Sequence, residues 1–495
     1  MTQHDHVPPI HDLSHPQQVR ATGSVLGAAT ADAVGAPYEF KDPDLYAGDY
    51  PRPMVGGAGE MTGGGGFGWA PGEFTDDTQM AVALANALEE ADGFAPDVVW
   101  KHFRAWSQTA VDVGITISTA LRNKTHVGAA LAAHEQLGGR TASNGSVMRI
   151  APVAVFGLRL TRMEAADLAV KQASITHHDE SASVGAAFVA DVIRGCIVSG
   201  DFAASLASSV EYFGVSPWAP VFSAHFAPLL TDDFDPRDEG LLPNGTVWTA
   251  VAQAVWAVRS TSSFHDAVVA AINLGGDTDT VAAIAGAMAG SVYGAQGIPV
   301  RWATYVHGTV QTPHAGEVVY RGQDLANLAR RLMGLGDAPM SHPEPPIAAR
   351  KVHPAGVYAA NLDGAAAVPK DRAVVSLCLT GERFLDHPVR RQVYMRDNDG
   401  DANPNLFFAV KESVEAIQAF LAEGREVVVH CHGGRSRTGL VLKAWYMMHE
   451  GASHDEAEEW ITEQWEHYRD WTPSFKKLLD KQWSHHVAAT SGAGK

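Results

Sequence analysis

The sequence predicts two domains of different class, a large all-α N-terminal bundle and a smaller α/β domain at the C-terminus. Three observations lead there. Up to residue 335, small and apolar residues recur at helical spacing, and convincing alternating strands are scarce. From Asp337 to Pro354 the composition shifts to proline (Pro339, Pro343, Pro345, Pro346, Pro354) with few periodic apolar residues, which marks a linker. Beyond it, buried-strand patterns alternate with helical ones. The expected boundaries are a disordered lead-in at 1–17, a first domain at 18–335, a linker at 336–352, a second domain at 353–488 and a disordered tail at 489–495.

Composition narrows the class. A chain of 495 residues is too long for one ordinary core. With 46% hydrophobic and 19% charged residues it reads as soluble and globular, and a formal charge of -19 excludes a general nucleic-acid binder. Three cysteines (Cys196, Cys378, Cys431) make no disulfide framework, so a reducing, cytoplasmic setting is expected. The polar, His- and Pro-rich start has no signal-peptide core. The 20 residues from Val281 to Val300 lack formal charge, but their Ala/Gly content, Gln296 and Pro299 fit an interior helix and no membrane span.

In chain order, Gly23 to Ala36 is a small, apolar helical run that stops at Pro37, and Glu39 follows in an exposed turn. Residues 48–72 form a Gly/Pro-dense flap whose Gly63 to Gly66 run lacks the Gly-Lys-Ser/Thr of a P-loop. Helical patterns occupy 79–91, 96–110, 163–174, 182–199, 202–211, 247–258, 264–273, the stretch from Val281, and 324–333. In the second domain, Val374 to Leu379, Val393 to Met395 and Glu426 to His430 read as strands, and 409–423 and 440–449 as helices.

Two acidic tips precede helical runs: Thr75-Asp76-Asp77-Thr78, and Asp277-Thr278-Asp279-Thr280 some 200 residues later. One such tip alone reads as a helix N-cap. Two tips with several acids apiece exceed what capping needs. Carboxylates and threonine hydroxyls are hard oxygen ligands suited to Mg²⁺ or Mn²⁺.

Gly27 to Glu39, Thr75 to Thr78, Ser143 to Pro152, Thr176-His177 and Gly275 to Thr280 occur in one order that resembles the ADP-ribosylglycohydrolase family, which includes the dinitrogenase reductase-activating glycohydrolases. The resemblance spans roughly 18–335. It implies an all-α fold and a site for two Mg²⁺ or Mn²⁺ ions held by Thr75, Asp76, Asp77, Asp277, Asp279 and Thr280. It also implies that Asn144, Gly145, Ser146 and His177 hold ADP-ribose and that Tyr293 stacks on adenine. The substrate would be an ADP-ribosylated protein or small molecule. Glu39 is the expected general base for cleavage at ribose C1″.

Near the C-terminus, the strand ending at His430 runs into Cys431-His432-Gly433-Gly434-Arg435-Ser436-Arg437-Thr438-Gly439 and then a helix. In this Cys-x5-Arg spacing, loop amides and a helix N-terminus face a bound phosphate and favour the thiolate. Arg437 offers a planar fork to phosphate oxygens, and Thr438 can hydrogen-bond the sulfur. The stretch resembles the signature loop of dual-specificity and protein tyrosine phosphatases, over about 353–488. A phosphorylated substrate and no cofactor are expected for this domain. The resemblance puts the general acid at Asp399, with Asp397 and Asp401 as rivals in the same acidic turn. Cys196 and Cys378 lie in apolar runs and read as packing residues.

Overall fold

The computed structural model describes residues 12–57, 59–238, 244–338, 344–398 and 402–492. The chain divides into two compact units. One comprises Met1–Arg52, Glu60–Ile298 and Tyr305–Ala338; the other comprises Pro53–Gly59, Pro299–Thr304 and Pro339–Lys495.

The N-terminal unit is helical. Its main helices are α1 (His15–Gly35), α2 (Asp76–Glu90), α3 (Glu180–Ser199), α4 (Val247–Arg259) and α5 (Thr278–Tyr293). α1 starts eight residues before the small-residue run; Pro16 opens it and Gln17 Oε1 accepts from the Ser14 N–H, 2.9 Å. Expected disorder at 1–11 lies outside the described residues.

The small residues of α1 and α5 let the two backbones touch antiparallel. A Cβ on Gly27 would stand 2.6 Å from the Gly286 carbonyl oxygen, and one on Gly35 2.8 Å from Asp279 Cα. The stretch from Val281 is thus an interior helix. α3 is long and apolar enough to cross a membrane, but 89% of its apolar window is buried inside the protein. The unit is not purely helical: β1 (His307–Thr312) and β2 (Gly316–Arg321) form an antiparallel hairpin.

The C-terminal unit holds a five-stranded sheet. Its strands are β3 (Arg350–His353), β4 (Val357–Asn361), β5 (Ala373–Ser376), β6 (Arg390–Gln392) and β7 (Val427–Cys431), in the order β3-β4-β7-β5-β6. Only the β3–β4 pair is antiparallel. β7 is central and wholly buried, as its apolar run requires. Val427, Val429 and Cys431 join one core cluster with Phe420 of helix α6 (Leu406–Ala422) and Trp445 of helix α7 (Ser436–Glu450), whereas Val428 joins a second cluster with Ala360 and Ala365. This is the period-two alternation of a strand.

Three expectations shift. The edge strand is Arg390–Gln392, not Val393 to Met395, although Val393 N–H still donates to Ser376 O, 2.8 Å. The last helix continues to Gly492 through the expected tail. Residues 344–352, linker by composition, are fastened to this unit: β3 begins at Arg350, and buried Asn361 binds both Pro345 O and Ile347 N–H.

Candidate active sites

The two acidic tips converge. Thr75 caps α2, and Asp77 Oδ2 accepts from both Thr75 Oγ1 and Thr280 Oγ1, each at 3.3 Å, so the two tips share one oxygen. Ligand oxygens of Glu39, Asp277 and Asp279 lie within 4.8 Å of one another. Glu39 follows the short turn Ala36–Tyr38 and is only 9% exposed, although the turn continues into the exposed residues 40–45, with Phe40 74% exposed. The next residue, Phe40, holds a left-handed backbone (φ 60°) while its N–H donates to Gly276 O, 2.6 Å. That pairing locks Glu39 beside the second tip.

Burial in mutual proximity makes Glu39, Asp76, Asp77 and Asp279 weak acids. Burial, then Asp112, Asp277 and Asp32, push Glu39 up to about 8. Asp76, Asp77 and Asp279 are raised well above the usual carboxylate range, first by burial and then by their acidic neighbours. Asp77 Oδ1 is buried with no hydrogen-bond partner. A surplus of hard oxygens, one with an unused lone pair, fits a divalent cation held by Thr75, Asp76, Asp77, Asp277, Asp279 and Thr280.

Three contributors escaped sequence reading. Asp32, buried mid-helix in α1, accepts from Thr75 N–H and Thr78 N–H at 3.1 Å and holds the first tip. Asn244 accepts from Asp277 N–H, 2.9 Å, and donates to Gly275 O, 2.9 Å, which shapes the second. Asp112, from a loop, adds charge to Glu39 and Asp76. None carries a spacing signal, although Asp32 sits inside the quoted Gly27 to Glu39 motif.

The Ser143 to Arg149 loop meets the acidic site at Asn144, whose Nδ2 donates to Asp277 Oδ2, 2.8 Å. Its other groups anchor it. Arg149, fully buried, donates to Gln172 and to Thr176 Oγ1. Thr176 Oγ1 therefore has its proton free for His177 Nδ1, 2.9 Å. That leaves the His177 proton on Nε2, facing Ser143 Oγ at 2.9 Å, and burial together with Arg149 keeps the ring neutral. Ser146 gives its hydroxyl to Ala182 O, 2.8 Å. Gly145 packs against the imidazole, where a Cβ would stand 3.3 Å from the ring. In this arrangement Ser146 and His177 position the loop. Tyr293 is not brought to the cluster: it ends α5, and at about 1.5 Å of rise per residue it lies roughly 20 Å along the helix from Asp279.

The second site sits where β7 gives way to α7. Cys431 ends the strand opposite Asn361, and the loop 432–435 turns into the helix N-terminus at Ser436. Gly434 takes φ 66° with its Cα against β4, where a Cβ would stand 2.6 Å from Ala360 O, so only glycine fits. Trp465 Nε1 donates to Gly434 O, 2.6 Å, and fixes the turn. His430 is held neutral by burial, pushed down to about 4, with Nε2 2.7 Å from Ser376 Oγ. Ser436 Oγ lies 3.1 Å from Thr472 Oγ1.

Arg437 Nη1 donates to Leu377 O and Met395 O, at 2.9 and 3.1 Å, which aims the guanidinium across the loop. Its Nε and the Thr438 hydroxyl are buried without hydrogen-bond partners, although Nε faces the Asp397 carboxylate across 3.7 Å. Those two idle donors suit an anion. Asp399 and Asp401 lie outside the described residues. Asp397 is described, 3.7 Å from Arg437 Nε and 3.4 Å from Thr472 Oγ1. Cys196 and Cys378 are buried, and burial pushes both thiols up to about 12.

The ADP-ribosylglycohydrolase family matches residues 14–341, and the dual specificity phosphatase catalytic domain matches residues 383–482. The chain is 31% identical over 294 residues to the ADP-ribosylarginine hydrolase Tri1 of Pseudomonas putida (strain GB-1), covering 57% of this chain and 73% of the relative. It is 29% identical over 305 residues to the ADP-ribosyl-[dinitrogen reductase] glycohydrolase of Rhodospirillum rubrum, covering 60% and 90%. A solved ADP-ribosylglycohydrolase-related protein complex aligns at 27% identity and TM-score 0.48, covering 64% of this chain and 98% of that one. With its oxygen-lined acidic site and the family match over most of its length, the chain is a hydrolase that belongs to the ADP-ribosylglycohydrolase family, joined to a dual specificity phosphatase catalytic domain.

Proposed function

We propose that the N-terminal unit hydrolyses the ribose C1″ bond of ADP-ribosylated arginine in a metal-dependent reaction, and that the C-terminal unit hydrolyses phosphate esters through Cys431. The arginine linkage follows the relative named an ADP-ribosylarginine hydrolase, and an acidic pocket complements a departing guanidinium. The observation that carries the first activity is the convergence of Glu39, Asp277 and Asp279 beside Asp77, whose Oδ1 is unpartnered. Two Mg²⁺ or Mn²⁺ ions bound there would offset the acids' charge and orient the ribose hydroxyls. Asn144 braces Asp277 towards the ribose. Glu39 takes a proton from the attacking water as its oxygen bonds to C1″; the C1″–N electron pair leaves with the nitrogen, so the guanidinium departs as a neutral guanidine that regains a proton from Glu39. Chelation should abolish release of ADP-ribose from an ADP-ribosylarginine substrate, and Mg²⁺ or Mn²⁺ should restore it. Full turnover by metal-free protein would contradict the reading.

In the second site, Cys431 sulfur attacks phosphorus and the ester P–O bond breaks. Arg437 and the loop amides hold the phosphoryl oxygens, and Asp399 protonates the leaving oxygen; water then cleaves the cysteinyl phosphate. Asp397, engaged with Arg437 and Thr472, braces the arginine. Asp399→Asn should slow esters with poor leaving groups about 100-fold and good ones little. Asp397→Asn should slow both classes alike; the reverse pattern would move the acid to Asp397. Both activities are proposed for a cytoplasmic protein, in keeping with its free cysteines.

A further inference from the structure

The prolines before β3 carry a carboxylate to the phosphate loop. Glu344 Oε2 lies 3.1 Å from Arg435 Nη2, and Oε1 lies 3.4 Å from Arg435 Nη1 and 3.8 Å from His432 Nδ1. A Cβ on Gly433 would stand 3.3 Å from Glu344 Oε1, so the carboxylate lies against the loop itself. Its position is built. Asn361, fully buried and paired in register with Cys431, donates to Pro345 O, 2.9 Å. Its Oδ1 accepts from Ile347 N–H, 2.8 Å, and from Gly364 N–H, 2.9 Å. Pro345 and Pro346 stiffen the segment between Glu344 and that clamp.

Arg435 and His432 are the rim of the loop, and neither is needed to hold the phosphoryl group that Arg437 and the backbone amides face. An arginine fork and an imidazole a few ångströms from a phosphate site can bind a second anion. Here a carboxylate of the chain already fills that place.

We propose that Arg435 and His432 form a second-anion subsite of the phosphatase centre and that Glu344 is its resident occupant, so the wild-type enzyme disfavours esters bearing another acidic group beside the phosphate. This rests on the phosphatase reading of Cys431. An incoming second anion must displace Glu344 from Arg435 and is repelled by it. Glu344→Gln removes the competing charge while keeping the side chain's size, and leaves the arginine fork to the substrate.

The test compares kcat/KM of the full chain for phenyl phosphate and 3-carboxyphenyl phosphate. Glu344→Gln should raise the ratio of carboxylated to plain ester about tenfold, the scale of one charge-assisted hydrogen bond near a surface. Adding Arg435→Gln to that variant should return the ratio to the wild-type value. A ratio unmoved by Glu344→Gln, or a gain that survives Arg435→Gln, overturns the subsite. Phenyl phosphate turnover that is absent, or that survives Cys431→Ser, overturns the phosphatase reading beneath it.

Discussion

The two sites are opposite in what they leave unsatisfied. The acidic site keeps an acceptor without a donor, Asp77 Oδ1, among carboxylates that burial and mutual repulsion make weak acids. The phosphate loop keeps donors without a hydrogen-bond acceptor, Thr438 Oγ1 and an Arg437 Nε that only the Asp397 carboxylate approaches, at 3.7 Å, at the start of a helix. Buried polar groups seldom go unpaired, so each orphan states the charge of its missing ligand. The first site asks for a cation and the second for an anion. Fold follows the same division: side chains from several helices converge to build the acidic site, whereas one strand–loop–helix turn builds the other, where backbone amides at a helix N-terminus suit an anion.

The sharpest way to break this comparison is to disable one site and assay both. Asp279→Ala should lower ADP-ribose release by at least about 1000-fold while leaving phosphate-ester hydrolysis within a factor of about three. Cys431→Ser should do the converse. Loss of both activities from either variant would show that the sites are not independent.

A smaller effect tests the acidic side alone. Carboxyls whose folded pKa is raised favour the folded state below their unfolded value, and that contribution is lost as pH rises through the folded value. For Glu39 the window runs from 4.5 to about 8. Metal-free protein should therefore lose stability of its N-terminal unit as pH rises across that range. Mg²⁺ or Mn²⁺ should restore more stability at pH 8 than at pH 5, read as the shift in Tm. A metal-free Tm that rises from pH 5 to pH 8 would contradict the shifts.

The smallest effect concerns the C-terminal unit, which includes Pro299–Thr304. Arg301 Nη1 lies 3.7 Å from Glu412, whose side chain is 10% exposed, and Val300 N–H donates to the same carboxylate, 3.0 Å. Arg301→Ala should cost the C-terminal unit about 3 kcal/mol, the low end for breaking a buried pair, because burial already raises Glu412 and lets it shed its charge. Denaturant unfolding followed by phosphatase activity reads this. A fragment starting at Lys351 should be weaker still, lacking both Arg301 and the residues clamped by Asn361.

What was legible in the sequence was whatever is local. Both acidic tips, the Cys431 to Arg437 loop and the helices with clear apolar periodicity needed only neighbouring residues to be recognised. What was not legible depends on tertiary contact. Asp32 reads as one polar position in a small-residue helix, and only the packing of α1 against α2 shows it holding Thr75 and Thr78. The proline-rich stretch before β3 looks like a spacer until Asn361 reaches Pro345 O from the end of β4. The edge strand Arg390–Gln392 is polar enough to pass for a surface turn, and the hairpin at 307–321 lacks the apolar alternation of a core strand. Tyr293 shares α5 with Asp279 but ends it, roughly 20 Å away along the helix.

The central proposal is that the buried, mutually repelling carboxyls of the N-terminal unit bind a divalent cation. The direct measurement is calorimetric titration of Mn²⁺ into the metal-free full chain at pH 7 in buffers of different ionisation enthalpy. Binding should release protons, because a cation displaces those that burial and repulsion hold on the acids. Asp77→Asn should sharply weaken binding and reduce the release, and vanadate in the phosphate loop should leave both unchanged. Mn²⁺ binding without proton release, or binding indifferent to Asp77→Asn, would contradict it.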